Sequence, residues 1–205
     1  LALERYATMA RSLRLAGIRP LVCLHHFSEP AWLYEAHPSG WLTDAPVERW
    51  LRFVERVREA LGASVTDWLT FNEPMVWLLF GYGLGFWPPG FRRALSLERT
   101  FLKNGLVDRV AKAHNAAYRT LKTPESRVSL AQNVVDLEPA RARVEDLEAL
   151  QSWDRFMHGH LLDLARSAGT LDFIGVNYYT RIFVRARGLF PLGAMPCYGE
   201  LERAL

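Results

Sequence analysis

The residues best suited to chemistry stand in one short run, Trp68-Leu69-Thr70-Phe71-Asn72-Glu73-Pro74. A carboxylic acid beside an amide and walled by aromatic rings sits where desolvation disfavours the charged form, so Glu73 could keep a proton and donate it. Pro74 cannot donate to a sheet ladder, so the β-type run from Val65 to Phe71 should finish around Asn72-Glu73. An ordinary loop glutamate before a proline fits the same words equally well. Other polar groups also gather at the ends of β-type runs: His25-His26, Gln132-Asn133 and Asn177 to Tyr179. No cluster has metal-ligand spacing, no Ser/His/Asp or Cys/His grouping stands out, and nothing points to a cofactor.

The elements that must position these groups alternate along the chain. An amphipathic helix carries Tyr6, Met9, Ala10, Leu13 and Ala16 at helical spacing and closes at Gly17. Leu21 to Phe27 reads as a strand, and a loop follows to about Thr43. Asp44 can cap a helix whose apolar face is Val47, Trp50, Leu51, Val54, Val57 and Leu61. After the Val65 strand, a long aromatic and glycine-rich loop runs through Gly81-Tyr82-Gly83 to Pro88-Pro89-Gly90. Leu102, Leu106, Val110, Ala113, Ala117 and Leu121 mark a third helix, Arg127 to Asn133 a strand, Val144 to Arg166 a helix and Leu171 to Tyr179 a last strand. This order predicts an α/β fold of parallel strands joined by right-handed crossovers. An open doubly wound sheet and part of a (β/α)8 TIM barrel both fit. No Gly-rich phosphate fingerprint follows any strand, which weakens a nucleotide-binding sheet. Polar residues at the strands' C-terminal ends suit a barrel site, and four strands make about half a barrel.

Four segments together resemble family 1 of the glycoside hydrolases. Thr70-Phe71-Asn72-Glu73-Pro74 is similar to the family's acid/base signature, and His25-His26-Phe27-Ser28-Glu29-Pro30 to its third-strand segment. Gly81 to Gly90 is similar to the loop after the acid/base strand, and Asp172 to Thr180 to the sixth-strand signature. They occur in the family's order from Leu21 to Thr180. The resemblance implies roughly barrel strands 3 to 6 with their helices. It implies that Glu73 is the acid/base of a retaining β-glycosidase and that Asn72 binds the hydroxyl beside the reacting carbon. It further implies that His26 bonds another hydroxyl of that sugar, that Tyr179 lies against the nucleophile, and that Asn177 sits close to the catalytic pair. The substrate class is then a β-glycoside or oligosaccharide.

Period-two alternation tests these roles. Phe173, Gly175, Asn177 and Tyr179 share one face, while Ile174, Val176 and Tyr178 should back onto helices. Val22, Leu24 and His26 share a face, so His25 points oppositely and reads as a satisfied structural histidine. Asn72 and Glu73 are neighbours and can serve one site only if the strand bends or bulges. Phe86 and Trp87 suit a sugar-stacking platform or loop packing. Glu29 reads as a solvated loop charge, Glu138 before Pro139 lacks supporting neighbours, and His114 as a residue that packs or caps its helix.

The chain departs from the family in several respects: Glu29 stands where the family usually has an apolar residue, and the first two strands and the eighth have no counterpart. The resemblance places the nucleophile in a Glu-Asn-Gly setting on a seventh strand, and the sequence has no such segment; after Thr180 its only glutamates are Glu200 and Glu202. With Leu first and a helix already under way, residues 1–205 are expected to be the central part of a single barrel domain truncated at both ends. Little turnover and a tendency to associate follow for the chain alone. A non-catalytic remnant that binds sugar or assembles with another half barrel is the alternative.

Bulk properties agree. In 205 residues, half hydrophobic, a formal charge of +3 and interspersed signs give nucleic acid or an anionic membrane little purchase. Aromatic content of 12% suits core packing and sugar stacking alike. Cys23 and Cys197 lie far apart, so no disulfide framework is expected and a cytoplasmic setting follows. No apolar run is long enough to span a membrane.

Overall fold

The computed structural model describes residues 2–91 and 98–186. Four strands form one parallel sheet in sequence order: β1 (Leu21–His25), β2 (Asp67–Asn72), β3 (Arg127–Pro139) and β4 (Gly175–Val184). Helix α1 (Ala2–Leu15) precedes β1, and α3 (Ala45–Leu61) crosses from β1 to β2. Helix α5 (Leu106–Leu121) crosses to β3, and α6 (Val144–Asp154) with α7 (His160–Ser167) crosses to β4. The loops add two short helices, α2 (Ala31–Ala36) and α4 (Pro74–Leu78), where the sequence suggested irregular backbone.

The core lies between the sheet and the crossover helices. Val47, Trp50, Val54, Val57 and Leu61 of α3 are buried, as are Val110, Ala113, Ala117 and Leu121 of α5, matching their helical spacing. Trp50 stacks on Phe71 of β2 with ring centroids 4.6 Å apart. Fully burying a large apolar side chain is worth about 1.5–3 kcal/mol, so this aromatic layer is a main stabiliser of the β1–β2 unit.

Several expectations need correction. Asp44 occupies the N-cap of α3 but makes no capping bond; its carboxylate instead lies 3.3 Å from Arg109 and 3.9 Å from Lys112 of α5. On α1 only Ala7 and Ala10 are buried, while Tyr6, Met9 and Leu13 are exposed and line a cavity with Leu21 to Leu24 of β1. The last strand starts later than its composition suggests. Asp172 accepts from the backbone N–H of Val128, the Tyr118 hydroxyl and Lys122, and the Phe173 carbonyl accepts from the Ser129 hydroxyl. Apart from one backbone bond, from the Asp172 N–H to the Val128 carbonyl at 3.1 Å, side chains supply the bonding there, and β4 begins at Gly175. Ile174, Val176 and Tyr178 are exposed rather than backed by helices, because among the described residues no element covers them. The helix expected over Val144 to Arg166 is interrupted by a π-helical turn at Arg155–Gly159. The Met157 carbonyl of that turn accepts from Gln132 Nε2.

Candidate functional site

Two backbone irregularities build the site. Leu69 pairs with Ser129 and Asn72 with Ala131, so three residues of β2 span what two of β3 span, a bulge just before the end of the strand. Glu73 then turns left-handed at φ 44° and ψ 54°, its N–H donating to the Ala131 carbonyl at 2.7 Å. A non-glycine residue there carries strain of order 1 kcal/mol or more, and such strain concentrates where function requires it. Pro74 fits the first turn of α4, where no N–H is needed. Together the bulge and the turn bring Asn72 and Glu73 to the same side, which plain alternation forbids.

Register supplies the third member. Asn133 of β3 lies opposite Asn177 of β4, and Ala131 lies opposite Gly175. A Cβ on residue 175 would come within 2.8 Å of the Ala131 Cβ, so glycine is what lets β4 approach this closely. Asn177 Nδ2 then donates to Glu73 Oε1 at 2.7 Å and to Asn72 Oδ1 at 3.0 Å. Asn133 Nδ2 reaches the same Glu73 oxygen at 3.4 Å, and Asn72 Nδ2 lies 3.4 Å from His26 Nε2. Glu73 and Asn72 are 5% and 6% exposed, whereas Tyr179 is 70% exposed and His26 is also exposed. Glu73's charge raises the Tyr179 hydroxyl above the ordinary phenol range, with partial desolvation and a hydrogen bond between the two adding to it.

The structure therefore brings together all five residues singled out from the sequence: Glu73, Asn72, His26, Asn177 and Tyr179. It adds Asn133, which the sequence showed only as one of several polar residues at strand ends. Its signal was alternation: Ala131 and Asn133 share a face, and Gln132 points the other way. A buried carboxyl and amide, two further amides and an exposed imidazole suit hydroxyl recognition and proton transfer. Among the described residues no group of three or more His, Cys, Asp or Glu could hold a metal ion.

The neighbouring candidates resolve differently from expectation. Glu29 is no solvated loop charge: it accepts from the Tyr34 hydroxyl and Trp41 Nε1, and burial raises its carboxyl above the usual range against those bonds. Gly40 at φ 52° lets Tyr82 and Tyr34 close over this group, and Trp41 N–H donates to the Tyr82 hydroxyl at 2.9 Å. His25 is structural but not satisfied; its ring lies 4.4 Å from Trp77 and neither nitrogen has a partner among the described residues. Burial, with His26 nearby, lowers it to about 4. Trp87 packs between Phe80 and Phe27 at 4.8 and 4.9 Å, while Phe86 is 69% exposed. Glu138 pairs with Arg181 at 3.0 Å. His114 is wholly buried, bridging Thr70 Oγ1 at 2.7 Å and the Thr170 carbonyl at 2.9 Å. Cys23 is half-buried, its thiol 3.3 Å from the His25 carbonyl; Cys197, Glu200 and Glu202 lie outside the described residues.

The opposite end of the sheet is built for stability. Buried Asp67 meets Arg127 and Arg19; burial would raise its carboxyl, but these cations and Thr66 hold it below the usual range. Polar groups thus gather at the C-terminal ends of the strands and charge pairs at their starts, and in barrels the C-terminal face is where sites are built.

The Glycosyl hydrolase family 1 model matches residues 2–170. Beta-glucosidase 25 of Oryza sativa subsp. japonica is 28% identical over 222 residues, covering 89% of this chain and 44% of the relative. A Beta-galactosidase of Sulfolobus acidocaldarius is 27% identical over 225 residues, covering 97% of this chain and 44% of the relative. Among solved structures, a beta-glycosidase from Pyrococcus horikoshii superposes with TM-score 0.80 at 32% identity, over 95% of this chain and 46% of that one. The Beta-glucosidase from Thermotoga maritima in complex with glucoimidazole, at TM-score 0.74 and 22% identity over 89% of this chain and 46% of that one, shares the fold. The four-stranded parallel sheet is thus part of a (β/α)8 barrel. The chain spans a little under half the length of the relatives it matches.

Proposed function

Because this chain belongs to glycosyl hydrolase family 1, we propose that the whole protein is a retaining β-glycosidase in which Glu73 is the acid/base. The observation that carries the reading is the left-handed turn at Glu73, which sets its carboxyl beside Asn72 and under Asn177 at the mouth of the barrel. In the first step a carboxylate nucleophile attacks the anomeric carbon, and the bond to the departing oxygen breaks as Glu73 gives that oxygen its proton. In the second, water attacks the glycosyl-enzyme, Glu73 takes its proton and the nucleophile leaves. In this reading Asn72 and His26 bond hydroxyls of the reacting sugar, supported by their position beside Glu73. The nucleophile has no matching Glu-Asn-Gly segment in this sequence, so in this reading it comes from outside these residues.

The test is Glu73→Gln in the full-length protein on aryl β-glycosides. Glutamine keeps the shape and removes the proton. The expected result, read in kcat/KM because that reports the first step, is a loss of about 10²–10⁴-fold on poor leaving groups and little loss on good ones. An equal loss across leaving groups would remove Glu73 from the acid role.

A further inference from the structure

We infer that Asn177, seconded by Asn133, is a positioning residue that fixes the hydrogen-bond polarity of the site, rather than a ligand of the sugar; this rests on the reading of Glu73 as the acid/base. The argument starts from the carboxyl. Asn177 Nδ2 donates to Glu73 Oε1 at 2.7 Å, and Asn133 Nδ2 approaches the same oxygen at 3.4 Å. An oxygen facing two amide N–H groups is the poorer seat for a proton, so the transferable proton is assigned to Oε2. An amide nitrogen has two protons, and the second of Asn177 goes to Asn72 Oδ1 at 3.0 Å. That bond fixes the Asn72 amide, turning its NH₂ towards His26 Nε2 at 3.4 Å.

An NH₂ group cannot accept, so in this contact His26 Nε2 can only be the acceptor. Polarity thus diverges from the Asn177 amide, which donates to the Glu73 carboxyl on one side and to Asn72 on the other, and Asn72 in turn points its NH₂ at the imidazole. Both protons of the Asn177 amide are committed to protein, which leaves that nitrogen nothing to offer a sugar. The two asparagines face one another because Asn133 and Asn177 are register partners on adjacent strands, brought close by Gly175.

The experiment compares Asn177→Asp and Asn133→Asp with the parent in the full-length protein, following kcat, KM and the pH profile on aryl β-glycosides. Aspartate has the same shape but cannot donate, and it sets a second negative charge beside Glu73. A like charge favours the protonated carboxyl, so the alkaline limb of kcat/KM should move up by about one unit or more in Asn177→Asp, and by less in Asn133→Asp. kcat should fall roughly 10- to 100-fold with KM little changed. Because the inserted charge moves the limb whatever Asn177 binds, KM separates the roles: a sugar ligand would raise KM with kcat little changed, and that result overturns the inference, as does an unchanged profile in both variants. Should Asn177→Asp fail to fold, the limb in Asn133→Asp decides. The Glu73→Gln control separates the failures: if it shows no leaving-group dependence, the acid/base reading itself is wrong.

Discussion

Acidification should destabilise this fold through two buried histidines, His25 and His114, both lowered to about 4, and His114 is the one whose hydrogen bonds let its share be isolated. His114 is wholly buried, with the Thr170 carbonyl accepting from Nε2–H, which leaves Nδ1 to accept from the Thr70 hydroxyl. Burial lowers it from 6.5 to about 4, with the carbonyl bond opposing. The folded state therefore favours the neutral ring. That contribution is fully present above pH 6.5 and is lost as pH falls through about 4. The gap is worth roughly 3 kcal/mol at one tenfold per pH unit. Asp67 and Asp172 are held below the usual carboxylate range, and Asp146 is held at about 2 by Arg141, so their losses come at lower pH. Glu29, raised by burial, works the other way. The variant His114→Gln isolates the effect. It should cost about 1–3 kcal/mol at pH 7 through lost hydrogen bonds and packing. Between pH 7 and pH 4 it should then lose roughly 3 kcal/mol less than the parent in urea unfolding followed by tryptophan fluorescence. Parallel stability curves for parent and variant would show that His114 does not titrate with folding.

Two further outcomes follow. Gly40→Ala forces a side chain onto φ 52° and into the Tyr82 hydroxyl and Tyr34 ring, so thermal unfolding should report a loss of at least about 2 kcal/mol; a change under 0.5 kcal/mol would mean the loop simply moves aside. Residues 1–205 expressed alone should turn over aryl β-glycosides little or not at all and should self-associate, because Tyr6, Met9, Ile174, Val176 and Tyr178 are exposed. Sedimentation showing an active monomer would contradict that.

Much of the architecture was legible in the order of residues. Helical spacing on α3 and α5 marked the faces that are buried, and the β-type runs marked all four strands, because those periodicities are properties of a single element. The motif around Glu73 also announced where its strand must stop, since Pro74 cannot extend a ladder. Boundaries set by partners were not legible. β3 runs on to Pro139 because β4 pairs with it that far, and Arg181 meets Asp136 at 2.8 Å and Glu138 at 3.0 Å. β4 starts late because Asp172 and Phe173 bond to β3 through side chains.

The sequence alone determined which residue types stand at the strand ends, and its alternation meant that Asn72 and Glu73 could share a site only through something irregular in the strand. Tertiary structure decided what that irregularity is: a bulge against β3 followed by a left-handed glutamate whose N–H is taken by Ala131. It also admitted Asn133 to the site and buried Glu29 under two tyrosines and a tryptophan. The reason is the same in each case. Local patterns encode a residue's own backbone and face, whereas register, bulges and the desolvation of a polar group depend on what lies across from it, and that is settled only when distant segments meet.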